Sequence, residues 1–244
     1  MENRDIVLYV TFAFVALFWL LAYLLIVRRS FIEKTFGMPI VAMMGNWTWE
    51  WIYGLELDSP CPPVWDACPR SWFHWADLAA AIFDFLIVLT IFGYGRDKVT
   101  NPFFRKYYYL ILLFGLGSAF AIQYSFVMDV GFPNAQSLSV GGGIPLYFAG
   151  DSGGAYSGFI LAFIMGVLFI QMLTERNDLE GQSFIIALAM LLGNLASFIF
   201  VLIARTESQF MNVIASLTLF VNLVYIVMTY QKSVELRINP WRRW

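Results

Sequence analysis

Apolar residues gather along this chain into seven stretches, each close to the roughly 20 residues that a helix needs to cross the hydrocarbon of a bilayer. They run approximately over Ile6–Val27, Met38–Leu57, Phe73–Phe92, Tyr107–Met128, Ala155–Leu173, Ser183–Ala204 and Phe210–Tyr230. Transmembrane β-strands are about half as long and alternate apolar with polar residues. None of these stretches alternates. The pattern therefore predicts an all-α fold, a polytopic bundle of seven transmembrane helices forming a single domain over residues 1–244. The first stretch follows a weakly acidic start and lacks a small-residue cleavage site, so it is expected to stay as helix one rather than leave as a signal peptide.

The few polar residues inside the stretches predict which faces turn inward. In the second, Asn46 and Glu50 lie one helical turn apart with Gly54 a further turn on, so the Asn46 amide is placed to orient the Glu50 carboxyl. In the third, Asp77, Ala80, Ala81 and Asp84 share a face, two acids separated by small residues. The sixth carries Asn194 and Ser197, and the seventh carries Thr218, Asn222, Tyr225 and Thr229 at helical spacing. Together these faces are expected to line a polar patch in an otherwise apolar cavity. A structural reading stays open for Asn194, Ser197 and Thr218, because such residues also serve as hydrogen-bonding glue between membrane helices.

Composition agrees, since 60% of the residues are hydrophobic and 13% are charged, a balance that belongs to membrane proteins. Charge adds an orientation. Twelve of the fifteen basic residues, Arg28 and Arg29 through Arg242 and Arg243, fall in segments on one side of the predicted bundle, and Arg4, Arg70 and Arg205 fall on the other. Basic residues are retained on the cytoplasmic side, so the N-terminus is expected outside and the C-terminus inside. The net charge of −2 then reflects topology, and no basic nucleic-acid footprint is present. The Pro-Trp-Arg-Arg-Trp ending reads as a membrane-surface anchor.

Two loops on the outer side stand out. Cys61 and Cys68 sit among Pro60, Pro62, Pro63 and Pro69, and in an oxidising compartment they are expected to close a disulfide-stapled loop; the alternative is two free thiols. The glycine-rich stretch from Asp129 to Gly154 resembles a phosphate loop in composition but lacks its Gly-Lys-Ser/Thr, and reads better as a lid over the outer opening. Two cysteines and the single His74 do not make a closed metal site, so no metal is expected.

The candidate chemistry centres on Glu50, inside Asn46-Trp47-Thr48-Trp49-Glu50-Trp51. An acid in a membrane span is costly and marks function by default. A carboxyl group surrounded by hydrocarbon is disfavoured as the anion and is a natural proton donor. Trp47, Trp49, Trp51, Tyr53, Trp72 and Trp75 offer ring faces that stabilise a cation. Asp84 is the expected second acid, and Asp77, closer to the outer interface, is expected to be structural or to steady positive charge. Asn46, Asn194, Asn222 and Tyr225 complete the predicted site. The magnesium-binding Asp-Asp-x-x-Asp of diphosphate-ionising cyclases is absent, as is the Asp-x-Asp-Asp of soluble protonating ones.

Phe36-Gly37-Met38, followed by Asn46-x-x-Trp49-Glu50 and Tyr53, resembles the signature of the small seven-helix membrane terpene cyclases of paxilline and pyripyropene type. Weaker echoes lie at Ala155-Tyr156-Ser157, Leu192-Gly193, and Asn222 with Tyr225. The resemblance implies that Glu50 protonates a terminal epoxide or alkene of a lipophilic prenylated substrate and that carbocation cyclisation follows, without a cofactor. The fungal members pair this acid with an Asp in the last helix. Asn222 holds that place here, and the departure leaves Asp84 as the expected partner. Membrane lipid and the substrate are the expected partners, with no nucleic acid or protein; the location is the plasma membrane of a prokaryote or the endoplasmic reticulum of a eukaryote.

Two other functions fit seven spans. A retinal photoreceptor needs a lysine within the last span, and Lys34, Lys98, Lys106 and Lys232 all fall at the cytoplasmic side. A small transporter or receptor using Glu50 and Asp84 is the stronger alternative. Its usual pointers, an internal repeat or helix-breaking prolines in paired halves, are missing, since Pro39 near one end is the one proline within a span.

Overall fold

The computed structural model describes residues 3–55, 57, 72–128, 152–204 and 208–244. Among them the chain forms helices α1 (Asn3–Glu33), α2 (Ile40–Gly54), α3 (Trp72–Lys98), α4 (Pro102–Lys106), α5 (Tyr108–Phe126), α6 (Ser152–Arg176), α7 (Phe184–Ala204) and α8 (Gln209–Glu235), and no strand. Cys61, Cys68 and most of the glycine-rich stretch lie outside the described residues.

Six helices, α1, α3, α5, α6, α7 and α8, are long and apolar enough to cross a membrane. The expected second span differs. Its helix α2 has 15 residues, beginning after Pro39 and closing where the Leu55 N–H donates to the Trp51 carbonyl. That is a rise of about 22 Å, short of the ~30 Å hydrocarbon layer. The sequence overestimates this helix because apolarity continues past both ends, through Met38 and Leu57, while Pro39 supplies no N–H for a preceding turn. The short α4 has no counterpart in the apolar pattern. Its start is set locally: the Asn101 side chain accepts from the Phe103 and Phe104 N–H groups, and Pro102 occupies the first turn.

Packing closes six helices into a ring. α1 packs on α7, α7 on α8, α8 on α6, α6 on α2, α2 on α3, and α3 returns to α1. α5 leans on α2 from outside, burying Tyr108 and Leu112 while Leu110, Leu113, Phe114 and Ile122 stay exposed. Lipid tails are as apolar as leucine, so that exposure carries no penalty in a bilayer.

One end of the ring gathers the charges. There Arg176 donates to the Phe36 and Glu180 carbonyls, Lys98 pairs with Glu180, and Lys232 reaches the Asn177 side chain. Glu33 accepts from the Gly181 N–H and pairs with Arg29 and Arg243. Gly181 adopts a φ of +72°, and a Cβ on Gly37 would meet the Gly181 carbonyl oxygen at 2.6 Å. Glycine at both places lets the α1–α2 and α6–α7 connections touch. The C-terminal tail, read from sequence as a surface anchor, is also tied to this end: Arg243 donates to the Leu179 and Gln182 carbonyls, and Trp241 packs edge-on against Phe184.

Candidate active site

Inside the ring, in the half away from the charged end, lies a cavity of about 150 Å³ walled by α1, α2, α3, α6 and α7. Its deepest α1 residue, Tyr23, stands some ten residues, or about 15 Å of helix, from Glu33. The wall is mostly hydrocarbon and aromatic, including Phe12, Trp19, Trp49, Phe159 and Met165. Two of the aromatics sit where a facing helix has no side chain. A Cβ on Gly158 would approach the Trp49 ring to 3.2 Å, and one on Gly193 would approach the Trp19 ring to 3.0 Å. Those glycines set how far the two indoles recede into the wall.

Glu50 lines this cavity and is 5% exposed. Its Oε1 accepts a hydrogen bond from the Tyr23 hydroxyl at 3.3 Å, and its Oε2 has no hydrogen-bond partner among the described residues. Asn46, a turn earlier on α2, also lines the cavity, but its amide does not go to Glu50 as the spacing suggests. Nδ2 donates instead to the Tyr23 hydroxyl at 2.7 Å and to Asp84 Oδ2 at 2.6 Å. The α1 phenol thus stands between amide and acid.

The second acid in the cavity wall is Asp77 on α3, half-buried, rather than Asp84. Asp84 lies two turns further along α3, fully buried behind Asn46, and Arg96 is engaged elsewhere, with the Arg105 carbonyl. The α7 residues Asn194 and Ser197 line the cavity. Ser197 donates to its own helix at Gly193, while Asn194, 2% exposed, has no partner for Nδ2 among the described residues.

The remaining predicted residues face other neighbours. Asn222 is buried at the contact of α8 with α6, where its Nδ2 donates to the Thr218 carbonyl and Gly166 makes room for it. Tyr225 donates to Gln182 at 2.9 Å near the charged end and packs on Phe169. α8 belongs to the ring but contributes nothing to the cavity wall. Trp47 stacks on Phe85 and meets Trp51 edge-on, so neither ring enters the cavity, and Trp75 is exposed. Tyr53 packs on Trp49 at 4.5 Å, behind the cavity wall, and the Trp49 indole N–H donates to Ser157.

Tyr23 and Trp19 are among the cavity residues that sequence reasoning misses. A signal exists: Phe12, Ala16, Trp19, Tyr23, Ile26 and Ser30 form one helical stripe of α1, and it faces the interior. Among the described residues, no three His, Cys, Asp or Glu side chains group closely enough to hold a metal ion.

A family model described as Pyr4-like transmembrane terpene cyclases matches residues 2–203 of the chain. The chain is 25% identical over 185 residues to the Pyr4-family terpene cyclase mfmH of Annulohypoxylon moriforme, a match covering 75% of this chain and 65% of that protein. It is 27% identical over 101 residues to the terpene cyclase cle7 of Aspergillus versicolor, covering 40% of this chain and 38% of the relative. A further match, 42% identical over 45 residues, is to the terpene cyclase ascF of Acremonium egyptiacum, covering 18% of this chain and 16% of the relative. The chain thus spans slightly under two thirds of the length of the first of these relatives, and less of the others. No solved structure matches.

Proposed function

The chain belongs to the Pyr4-like transmembrane terpene cyclases, and from that membership we propose that it cyclises a lipophilic prenylated substrate by protonating its terminal alkene or epoxide. It is a multi-pass integral membrane protein. The observation that carries the proposal is Glu50: a buried carboxyl in the wall of an apolar cavity, with one oxygen held by Tyr23 and the other unpartnered among the described residues. Such a group offers a proton where water is scarce.

The chain's own residues suggest a sequence of events. The prenyl end enters the cavity from the bilayer, and Glu50 Oε2–H gives its proton to the alkene carbon or epoxide oxygen. The Trp19 and Trp49 rings steady the resulting cation, each ring face being attractive to positive charge. Asp77 adds an acidic group at the same wall, and Asn194 Nδ2 is a donor for a substrate oxygen. Loss of a proton from the final cation to the Glu50 carboxylate restores the acid, so the cycle is proton-neutral.

The same proposal includes seven traverses with α2 as a short one, the N-terminus outside and the C-terminus in the cytoplasm. Its support is the clustering of basic residues at the end where α1, α3, α6 and α8 finish and α2, α5 and α7 begin. The function is tested by mass spectrometry of products from a host fed prenylated precursors, comparing the native chain with Glu50→Gln. Cyclised product from the native chain, reduced at least about a hundredfold in the variant, is the expected result. Near-normal product from a well-folded Glu50→Gln protein would defeat the assignment.

A further inference from the structure

Resting on the reading of Glu50 as the acid, we propose that Tyr23 is a positioning residue that commits Glu50 Oε1 to accepting a hydrogen bond and thereby assigns the transferable proton to Oε2. Three helices supply the groups that fix this polarity. Asn46 Nδ2 carries two hydrogens, and both are spent, one on Asp84 Oδ2 at 2.6 Å and one on the Tyr23 oxygen at 2.7 Å. The phenol has one hydrogen of its own, and it is directed to Glu50 Oε1 at 3.3 Å. A neutral carboxyl group has one carbonyl-type oxygen that accepts and one hydroxyl oxygen that donates. Because Oε1 accepts, the proton belongs on Oε2, the oxygen without a partner among the described residues.

Reversing the chain strands groups. If Glu50 donated to Tyr23, the phenol hydrogen would lose its acceptor in a buried site, and an unmade buried hydrogen bond is costly. With the Asn46 amide placed as it is, Nδ2 toward both Asp84 and Tyr23, the Tyr23 oxygen already accepts and its hydrogen is left for Glu50. Asp84 therefore acts at a distance from the reacting atoms: it orients the amide, the amide orients the phenol, and the phenol orients the acid. This gives a buried acid on α3 outside the cavity a role, without making it a second proton donor. Neighbouring hydrogen bonds reinforce one another in a site of low dielectric.

The test is infrared difference spectroscopy on the full chain in lipid, with the protonated Glu50 carbonyl stretch identified as the band lost in Glu50→Gln, and Asp84→Asn and Asp77→Asn separating any absorbance from the other two acids. In Tyr23→Phe the carbonyl oxygen loses its donor, so the Glu50 band is expected to move to higher frequency. Asn46→Leu is expected to move it the same way by less, since Tyr23 keeps its proton and loses only the amide that polarises it. This variant carries the readout if Tyr23→Phe does not fold. Turnover is expected to fall roughly five- to tenfold in Tyr23→Phe, about one hydrogen bond's worth, in kcat with KM unchanged. An unmoved Glu50 band in folded Tyr23→Phe overturns the proposal. A shifted band in a protein that makes no cyclised product would instead sink the cyclase reading and leave the hydrogen-bond polarity standing.

Discussion

At the scale of single residues, the three carboxyl groups near the cavity are predicted to separate by what they touch. Glu50 and Asp77 line the wall, whereas Asp84 reaches the site through Asn46. Asp84→Asn should therefore cost no more than about fivefold in turnover, less than Tyr23→Phe because it acts through the amide and the phenol, and much less than Glu50→Gln. Steady-state kinetics on the two variants side by side decide it; equal losses would make Asp84 a direct participant. Asn222→Asp addresses the fungal acid pair. Its side chain lies against the Thr218 carbonyl at the α6–α8 contact, so the substitution should bury an unpaired acid rather than arm the cavity. A destabilisation of about 2 kcal/mol and no gain in product range are expected, read from thermal unfolding and product analysis. Glu50 is legible in the sequence because an acid amid tryptophans in an apolar run has few innocent explanations. Tyr23 is not, because it is one aromatic in a chain that is 18% aromatic, and its hydrogen bonds to Asn46 and Glu50 exist only once the ring brings α1 within side-chain reach of α2.

At the scale of elements, apolar length locates the helices well: the expected stretches overlap α1, α2, α3, α5, α6, α7 and α8 along most of their extents. Apolarity does not report which face meets which neighbour. Thr218, Asn222, Tyr225 and Thr229 do form one buried face of α8, as their spacing implies, yet α8 packs on α6 and α7, and Thr218, Asn222 and Thr229 bond to their own helix carbonyls. Small residues carry the complementary information. Gly158 is where α6 lets the Trp49 ring lie close, and an added Cβ at 3.2 Å forces a shift of a few tenths of an ångström in a ring that also packs on Tyr53. Gly158→Ala is thus expected to leave folding intact and to lower turnover or alter the product mixture, as gas chromatography of the products will show. An unchanged product profile would mean that the Trp49 position does not shape the cation's path. The same helix gains a little from alanine on propensity grounds, so instability is not the expected outcome.

At the scale of the whole molecule, the ring holds its cavity toward one end and ties the other end shut. The tie joins residues far apart in sequence: Glu33 at the end of α1, the 177–183 connection between α6 and α7, and Arg243 in the C-terminal tail. Hydropathy marks none of these as partners, which is why the tail reads as a surface anchor from sequence alone, whereas the charge pattern does place the basic residues at one end. If that end is cytoplasmic, Lys98→Cys and Arg237→Cys should each react with a membrane-impermeant thiol reagent only after the cytoplasmic face is opened, in a chain whose Cys61 and Cys68 have been replaced. Labelling from outside intact cells would reverse the orientation. The tie itself carries the last prediction. The Arg243 guanidinium donates to Glu33 at 2.5 Å and to the Leu179 and Gln182 carbonyls, with its side chain 16% exposed. Burial lowers its pKa from the ordinary arginine value, and Asp178 and Glu180 pull it back up, so the charge is held by its neighbours at a desolvation cost. Arg243→Ala does not leave Glu33 alone, because Arg29 and the Gly181 N–H remain on it. What is lost is the pair of carbonyl contacts and the joint between tail and ring. The expected cost is therefore about 2 kcal/mol, the range of hydrogen bonds to a charged group, rather than that of an abandoned buried ion. For a chain of this size that corresponds to a fall in Tm of roughly 4–8 °C. Arg243→Lys keeps the charge but not the planar fork that reaches three acceptors at once, so it should recover less than half of the loss. Thermal unfolding of both variants in the same detergent checks the ordering; a Lys variant as stable as the native chain would show that charge alone, and not the fork, joins the tail to the ring.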